Sequence, residues 1–178
     1  MKLYIVRHGQ TNSNVSNKLL GITDEDINEN GVLQILKLRK KLDKEKIDIC
    51  FSSPLKRTRH TASIICNDNV PIVVDERLLE RDFGILEGGK DYRYTPDFWD
   101  LKLNKKDYGV ELLNDLFSRA NDFIEFLKTN YKDKNILIVS HAATIRAMHF
   151  NIVGFSENTD MLSFKVDNGC VLEYVIKE

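Results

Sequence analysis

The run Leu3-Tyr4-Ile5-Val6 carries no polar residue on either face, the pattern of a strand buried on both sides rather than one with a face turned to water. Such a strand needs cover above and below, and the chain supplies it in alternation. Strand-like runs at 2–6, 47–52, 72–75 and 136–140 are separated by helical periods over 29–43, 54–66, 110–129 and 143–153. The expected fold is α/β, a three-layer α/β/α sandwich with a mostly parallel central sheet and helices on both faces. The helix over 110–129 has the clearest period, with Leu113, Leu116, Phe117, Ala120, Ile124 and Leu127 on one core-facing stripe. The last apolar segments, 161–166 and 170–176, lie around Asn168-Gly169 and are expected to form a hairpin or paired edge strands. With 178 residues, 42% of them hydrophobic, and no repeat or low-complexity linker, one domain spanning 1–178 is expected.

A net charge of −1 argues against a broad nucleic-acid or membrane-binding surface and leaves room for a local basic pocket. Cys50, Cys66 and Cys170 are odd in number, widely spaced and mostly flanked by apolar residues, which favours reduced, buried thiols in a cytoplasmic protein and offers no zinc spacing. Only Lys2 precedes the first apolar run, which is too short for a signal-peptide core or a membrane span. The expectation is a soluble protein that engages neither nucleic acid nor membrane, as a monomer or a homodimer.

The first strand exits into Arg7-His8-Gly9, delivering an imidazole and a guanidinium together onto a loop, with a glycine that permits close backbone approach. Taken alone this reads as an ordinary strand end with a solvated Arg and a packed His. The polar loop 10–14 follows, where the Asn14 amide is placed to donate to an oxygen held beside the imidazole, and Asn28 is a candidate N-cap for the next helix. In Ser52-Ser53-Pro54-Leu55-Lys56-Arg57 a strand feeds a helix with Ser53 as expected N-cap and Pro54 at its first position. Free N–H groups there, together with Arg57 one turn in, suit a phosphoryl group. His60 on the same helix reads as a surface or packing residue. Past the third strand, Glu80, Asp82 and Glu87 compete as a general acid whose proton affinity would rise beside a bound anion, and the residues alone do not choose among them. Ile136-Leu137-Ile138-Val139 then ends in Ser140-His141, echoing the first strand. In a parallel sheet the carboxyl ends share a rim, so His8, Ser53 with Arg57, and His141 are expected to converge on one anion site.

In these ordered motifs the chain resembles the histidine phosphatase superfamily, branch one, the phosphoglycerate mutase-like type. The matching residues are Arg7-His8-Gly9-Gln10-Thr11 with Asn14, Gly21 with Asp24 and Gly31, Ser53-Pro54-Leu55 with Arg57-Thr58 and Thr61-Ala62, Leu79-Glu80 with Phe83-Gly84 and Glu87-Gly88, and Ser140-His141. The resemblance implies a phosphoglycerate mutase-like fold and phosphomonoester hydrolysis of a small phosphorylated metabolite without metal or other cofactor. It implies that His8 becomes transiently phosphorylated and that Glu80 protonates the leaving alcohol and later activates water. Arg7, Arg57 and His141 would hold the phosphoryl oxygens, Asn14 would assist, and Gly21 would belong to the substrate site. A phosphoglycerate mutase is the nearer alternative, and a non-catalytic phospho-ligand binder a more distant one. Zinc held by His8 and His141 is weaker still, since adjacent arginines repel a cation.

Two residues depart from the family pattern: Ala142 follows His141 where Gly is usual, and Leu86 stands where many members carry an aromatic residue. The segment 89–109 is a short, lid-like excursion in which Tyr92, Tyr94, Phe98 and Trp99 are interleaved with Lys90, Arg93, Lys102, Lys105 and Lys106. Its aromatics either meet substrate or anchor the excursion to the core. Mutases of the family carry a longer insertion here, so the short one favours a phosphatase.

Overall fold

The computed structural model describes residues 1–89 and 96–176. Five strands, β1 (Lys2–Arg7), β2 (Ile49–Ser52), β3 (Ile72–Val74), β4 (Asn135–Ser140) and β5 (Val171–Val175), form one sheet in the order β3-β2-β4-β1-β5. The pairs β1–β4, β2–β4 and β2–β3 are parallel, and β5 joins the far edge antiparallel to β1. The uninterrupted apolar runs sit where their pattern requires: Leu3 to Val6 and Ile136 to Val139 are fully buried in the two strands at the sheet centre.

Among the described residues the α-helices α1 (Asn12–Val15), α2 (Glu29–Leu42), α3 (Lys56–Cys66), α4 (Leu113–Asn130) and α5 (Ala142–Val153) are placed by the apolar faces of the strands. Tyr4, Val6, Leu137 and Val139 pack with Ile35, Leu38 and Leu42 of α2 and Ala62 and Ile65 of α3. Leu3, Ile5, Ile136 and Ile138, whose side chains point the other way, pack with α4 and α5. The α4 stripe is the expected one with Phe123 added. The three-layer sandwich follows directly from the two-residue period of the central strands.

Several boundaries differ from the sequence expectation. Segment 161–166 is a turn rather than a strand, so no hairpin forms. β5 pairs instead with β1, and Gly169, at positive φ, donates its N–H to the Arg7 and His8 carbonyls. Val110, buried but outside the helix, leaves α4 to begin at Leu113. The loop 10–14 winds into α1, because Thr11 and Asn14 satisfy each other's backbone N–H groups in a reciprocal capping box. Asn28 caps α2 as expected, accepting from Gly31 N–H. Gly9 does permit a close approach, but of protein to protein: a Cβ there would stand 2.8 Å from the Gly31 carbonyl oxygen in the first turn of α2. That contact presses the loop after β1 onto α2 and fixes the path of the chain immediately after His8.

Candidate active site

The parallel pairing brings the exits of β1, β2 and β4 to one rim. Arg7 lies in register with Ser140, so His8 and His141 leave neighbouring strands at the same level. His8 N–H donates to the Ser140 carbonyl and Ser53 N–H to the Val139 carbonyl, each at 3.1 Å. The two imidazole centroids lie 5.2 Å apart.

The hydrogen bonds assign a proton to each ring. His8 Nδ1 lies 2.8 Å from the Gly9 carbonyl oxygen, which can only accept, so Nδ1 carries the proton and Nε2 presents its lone pair. For His141, Arg57 Nε donates to Nδ1 at 3.2 Å, so the proton sits on Nε2 and is donated to Ser53 Oγ at 2.8 Å. Burial lowers the pKa of both rings well below the ordinary imidazole value. Arg7 and Arg57 press His8 further, and Arg57 is the strongest of the charges acting on His141. Neutral His8 at pH 7 is the form a nucleophile needs. The same shifts set a stability prediction. Below about pH 6.5 the unfolded chain takes up protons that the folded one refuses, so stability falls with falling pH by up to about 1.4 kcal/mol per unit for each ring. Urea unfolding at pH 7 and pH 5.5 measures this, and a midpoint unmoved across that interval would contradict the buried neutral pair.

A cavity of about 200 Å³ opens at His8, with Arg7, Asn14, Glu80, Ala143 and Asn168 among its walls. The three competing carboxylates separate here. Glu80, only 7% exposed, lies on the wall and accepts from the N–H groups of Arg81 (2.9 Å), Ala143 (3.1 Å) and Thr144 (3.3 Å) through Oε1. Oε2 accepts only from Ala143, at 3.3 Å, among the described residues. The first turn of α5 therefore holds Glu80 in place against His8. Asp82 accepts from Gly84 N–H in a local turn. Glu87 is half-buried, which opposes its ionisation, but the Thr23 hydroxyl and the N–H groups of Ile22, Thr23 and Phe83 outweigh that and hold it below the usual carboxylate range. It latches the loop at 22–23 to the segment after Glu80, away from the cavity.

Asn14 Oδ1 accepts from Thr11 N–H at 3.1 Å and from Asn168 Nδ2 at 3.0 Å, so its amide NH₂ is the end left for a ligand oxygen. Arg7 reaches the wall with Nη1 donating to the Val166 carbonyl at 2.7 Å. Arg57 and His141 are not on the wall: both are fully buried beneath His8. Arg57 spends one hydrogen of Nη1 on the Thr23 carbonyl and one of Nη2 on that of Gly21, and each nitrogen retains a second. Gly21 likewise lies behind the site. A Cβ there would meet Glu87 Oε1 at 2.0 Å and the Arg81 carbonyl at 2.8 Å, so its backbone is packed as a support for Arg57.

The start of α3 differs from the sequence reading. Pro54 and Leu55 lie in a turn, the helix begins at Lys56, and Ser53 is not its N-cap, because the Ser53 hydroxyl is taken by His141. Lys56 N–H is capped by Asp24 Oδ1 at 2.7 Å, so this helix start offers its N–H to a carboxylate of the protein rather than to a phosphoryl group. His60, half-exposed, pairs with Asp26 at 3.0 Å, in keeping with a surface role.

Of the excursion, Lys90, Tyr92, Arg93 and Tyr94 lie outside the described residues. Phe98 and Trp99 are buried in the core, and Trp99 also walls the cavity, so it anchors and lines at once. Lys102 and Lys105 are half exposed and paired with Glu157, and with Asp97 and Asp107. Ala142 is itself a wall residue, whereas Leu86 packs on the core. Asn168 and Arg146 are wall residues that the sequence reading did not single out. Arg146 follows Ala142 by four residues, one helical turn, and so was within reach of the period. Asn168 was hidden by its reading as a hairpin turn. Among the described residues no group of three or more His, Cys, Asp or Glu side chains comes together to hold a metal ion, and no helix is long and apolar enough to cross a membrane.

The family model described as the histidine phosphatase superfamily (branch 1) matches residues 3–178. Phosphoserine phosphatase 1 of Hydrogenobacter thermophilus is 31% identical over 176 residues, covering 94% of this chain and 83% of the relative. A 2,3-bisphosphoglycerate-dependent phosphoglycerate mutase of Methylobacterium is 29% identical over 175 residues, covering 88% of this chain and 83% of the relative. Among solved structures, the alpha-ribazole phosphatase of Shigella flexneri superposes with a TM-score of 0.88 at 26% identity, covering all of this chain and 92% of the other.

Proposed function

Because the chain belongs to branch 1 of the histidine phosphatase superfamily, we propose that the cavity at His8 hydrolyses phosphomonoesters of small metabolites through a phosphohistidine, without a metal. The observation that carries this reading is the pairing of a buried, neutral His8, its Nε2 lone pair free of the Gly9 bond, with a carboxyl group, Glu80, on the same small cavity. His8 Nε2 attacks phosphorus in line. The N–P bond forms as the ester P–O bond breaks, and the Glu80 carboxyl gives its proton to the departing alkoxide. Glu80, now a carboxylate, takes a proton from water, the water oxygen attacks phosphorus, and the N–P bond breaks to release phosphate and restore His8. Arg7 and the Asn14 NH₂ hold phosphoryl oxygens from the wall. Arg57 adds positive charge and N–H donors from below, the hydrogens not given to carbonyls or to His141 being those available to an oxygen, and neutral His141 holds the Arg57 Nε and reaches a phosphoryl oxygen by turning its own N–H from Ser53 Oγ. Charge that a metal would supply thus comes from guanidinium groups.

The whole of 1–178 acts as one catalytic domain, and Trp99 of the short 89–109 excursion lines the cavity. The shortness of that excursion favours hydrolysis over a mutase reaction, in which water must be kept from the phosphohistidine between transfers. The three free cysteines support a reducing, cytoplasmic setting, and neither nucleic acid nor membrane is a partner.

The test is phosphate release in the presence of a chelator from phosphoserine, 3-phosphoglycerate, a sugar phosphate and alpha-ribazole 5′-phosphate. An isomerisation assay on 3-phosphoglycerate with a bisphosphate primer runs alongside. Chelator-insensitive release from at least one ester is expected; isomerisation without net release would replace the hydrolase by a mutase.

A further inference from the structure

Glu80 borders two hollows. One is the cavity at His8; the other, of about 490 Å³, has Leu79, Asp82, Glu111 and Arg119 on its wall beside Glu80. A void offers no packed atoms to the chain that lines it, so hydrogen bonds carry more of the task of holding residues 79–82. The first turn of α5 holds the Glu80 carboxylate, whereas the backbone is held from α4. Arg119 of α4 gives all five of its N–H hydrogens to this end. Nη1 donates to the carbonyls of Arg77 at 2.7 Å and Leu79 at 2.8 Å, and Nη2 to that of Glu80 at 3.1 Å. Nε and Nη2 also donate to the two carboxylate oxygens of Glu111, at 2.7 and 3.0 Å, a bidentate pair that fixes the guanidinium plane. Glu111 closes the frame on the next residues. Its Oε2 accepts from Asp82 N–H at 3.3 Å, its N–H donates to the Asp82 carbonyl at 2.8 Å, and its carbonyl accepts from Arg81 Nε at 2.9 Å and Nη2 at 2.7 Å. The Arg119 and Glu111 side chains are only 20% and 17% exposed, and a plain surface ion pair would not converge on three carbonyls of one short segment.

We propose that Arg119, aligned by Glu111, is a positioning residue for the acid step, holding the Glu80 carboxyl at the place from which it reaches the leaving oxygen. The inference rests on the assignment of Glu80 as general acid in the proposed function. Arg119 is not on the wall at His8 and acts through the chain rather than on the substrate. Its loss frees residues 79–82 to shift into the hollow beside them, and a displacement of about 1 Å at a reacting group can cost about 10²-fold in rate. That cost falls on the step that needs the proton. An ester whose alcohol leaves without protonation is spared, whereas a loosened fold slows every ester alike.

The test measures kcat/KM, which reports transfer to His8 and not the later hydrolysis, on p-nitrophenyl phosphate and on the alkyl ester that the wild type turns over fastest. Wild type, Arg119→Met, Glu80→Gln and the double variant are compared. In Arg119→Met the alkyl ester is expected to lose about 10–10²-fold, and p-nitrophenyl phosphate far less. In the Glu80→Gln background Arg119→Met adds little further loss on the alkyl ester, because both changes act through one proton. Glu111→Gln keeps the shape and removes the charge of the pair. It shows the same preference to a smaller degree and decides the matter if Arg119→Met does not fold. Equal losses on the two esters, no loss on either, or losses that multiply in the double variant, with Glu80→Gln itself selective for the alkyl ester, would overturn the positioning role and leave the acid in place. If Glu80→Gln shows no preference between the esters, the acid assignment falls and the positioning role with it.

Discussion

His8→Ala abolishes phosphate release, with a loss on the order of 10⁴-fold or more, because it removes the atom that forms the bond to phosphorus rather than one that assists. Its neighbours would survive the change. The His8 backbone N–H still donates to Ser140, Asn168 still donates to the His8 carbonyl, and the Arg57–His141 pair beneath does not depend on the His8 ring. The variant is therefore expected to bind inorganic phosphate and to unfold cooperatively. Titration with phosphate and a urea curve separate loss of the nucleophile from loss of the fold. Full activity in a folded His8→Ala protein would remove the covalent mechanism.

Glu80→Gln is expected to lower kcat by roughly 10²–10⁴-fold, the usual worth of a general acid and base. The amide keeps the shape and an oxygen that accepts from Ala143 and Thr144 N–H, so α5 retains most of its cap. What is lost is a transferable proton, and the loss depends on the leaving group. Esters of strongly acidic alcohols such as p-nitrophenol depart without protonation, so their first step is slowed far less than that of an alkyl ester. Asp82→Asn and Glu87→Gln provide the contrast. Asp82 is engaged in its own turn, and Glu87 fastens residues 22–23, so the latter change lowers stability and disturbs Arg57 through the Gly21 and Thr23 carbonyls. A kcat loss confined to Glu87→Gln, with Glu80→Gln unaffected, would reassign the acid.

The parts of this architecture legible in the sequence were those carried by periodicity and by parallel topology. Uninterrupted apolar runs placed β1 and β4 at the centre, and parallel strands necessarily share a rim, so His8, Arg57 and His141 were brought together before any side chain was placed. What escaped depends on competition between partners. Ser53 and Pro54 form a standard helix start, yet the hydroxyl is worth more to His141 in the buried site, and Asp24, far away in sequence, takes over the cap. Segment 161–166 has strand composition, but the place beside β1 goes to β5, and the turn instead supplies the Phe164 and Val166 carbonyls that hold Arg146 and Arg7. Glu80 could not be told from Asp82 and Glu87 by composition. The distinction lies in which carboxylate meets the N-terminus of α5, a helix more than sixty residues later.

The covalent intermediate can be sought directly. Rapid mixing with a ³²P-labelled ester, quenching in alkaline denaturant and mapping the labelled peptide should place an acid-labile, alkali-stable phosphoryl group on His8, absent from His8→Ala and longer-lived in Glu80→Gln. Steady release of phosphate with no label on the protein at any quench time, or label on another residue, would contradict the account.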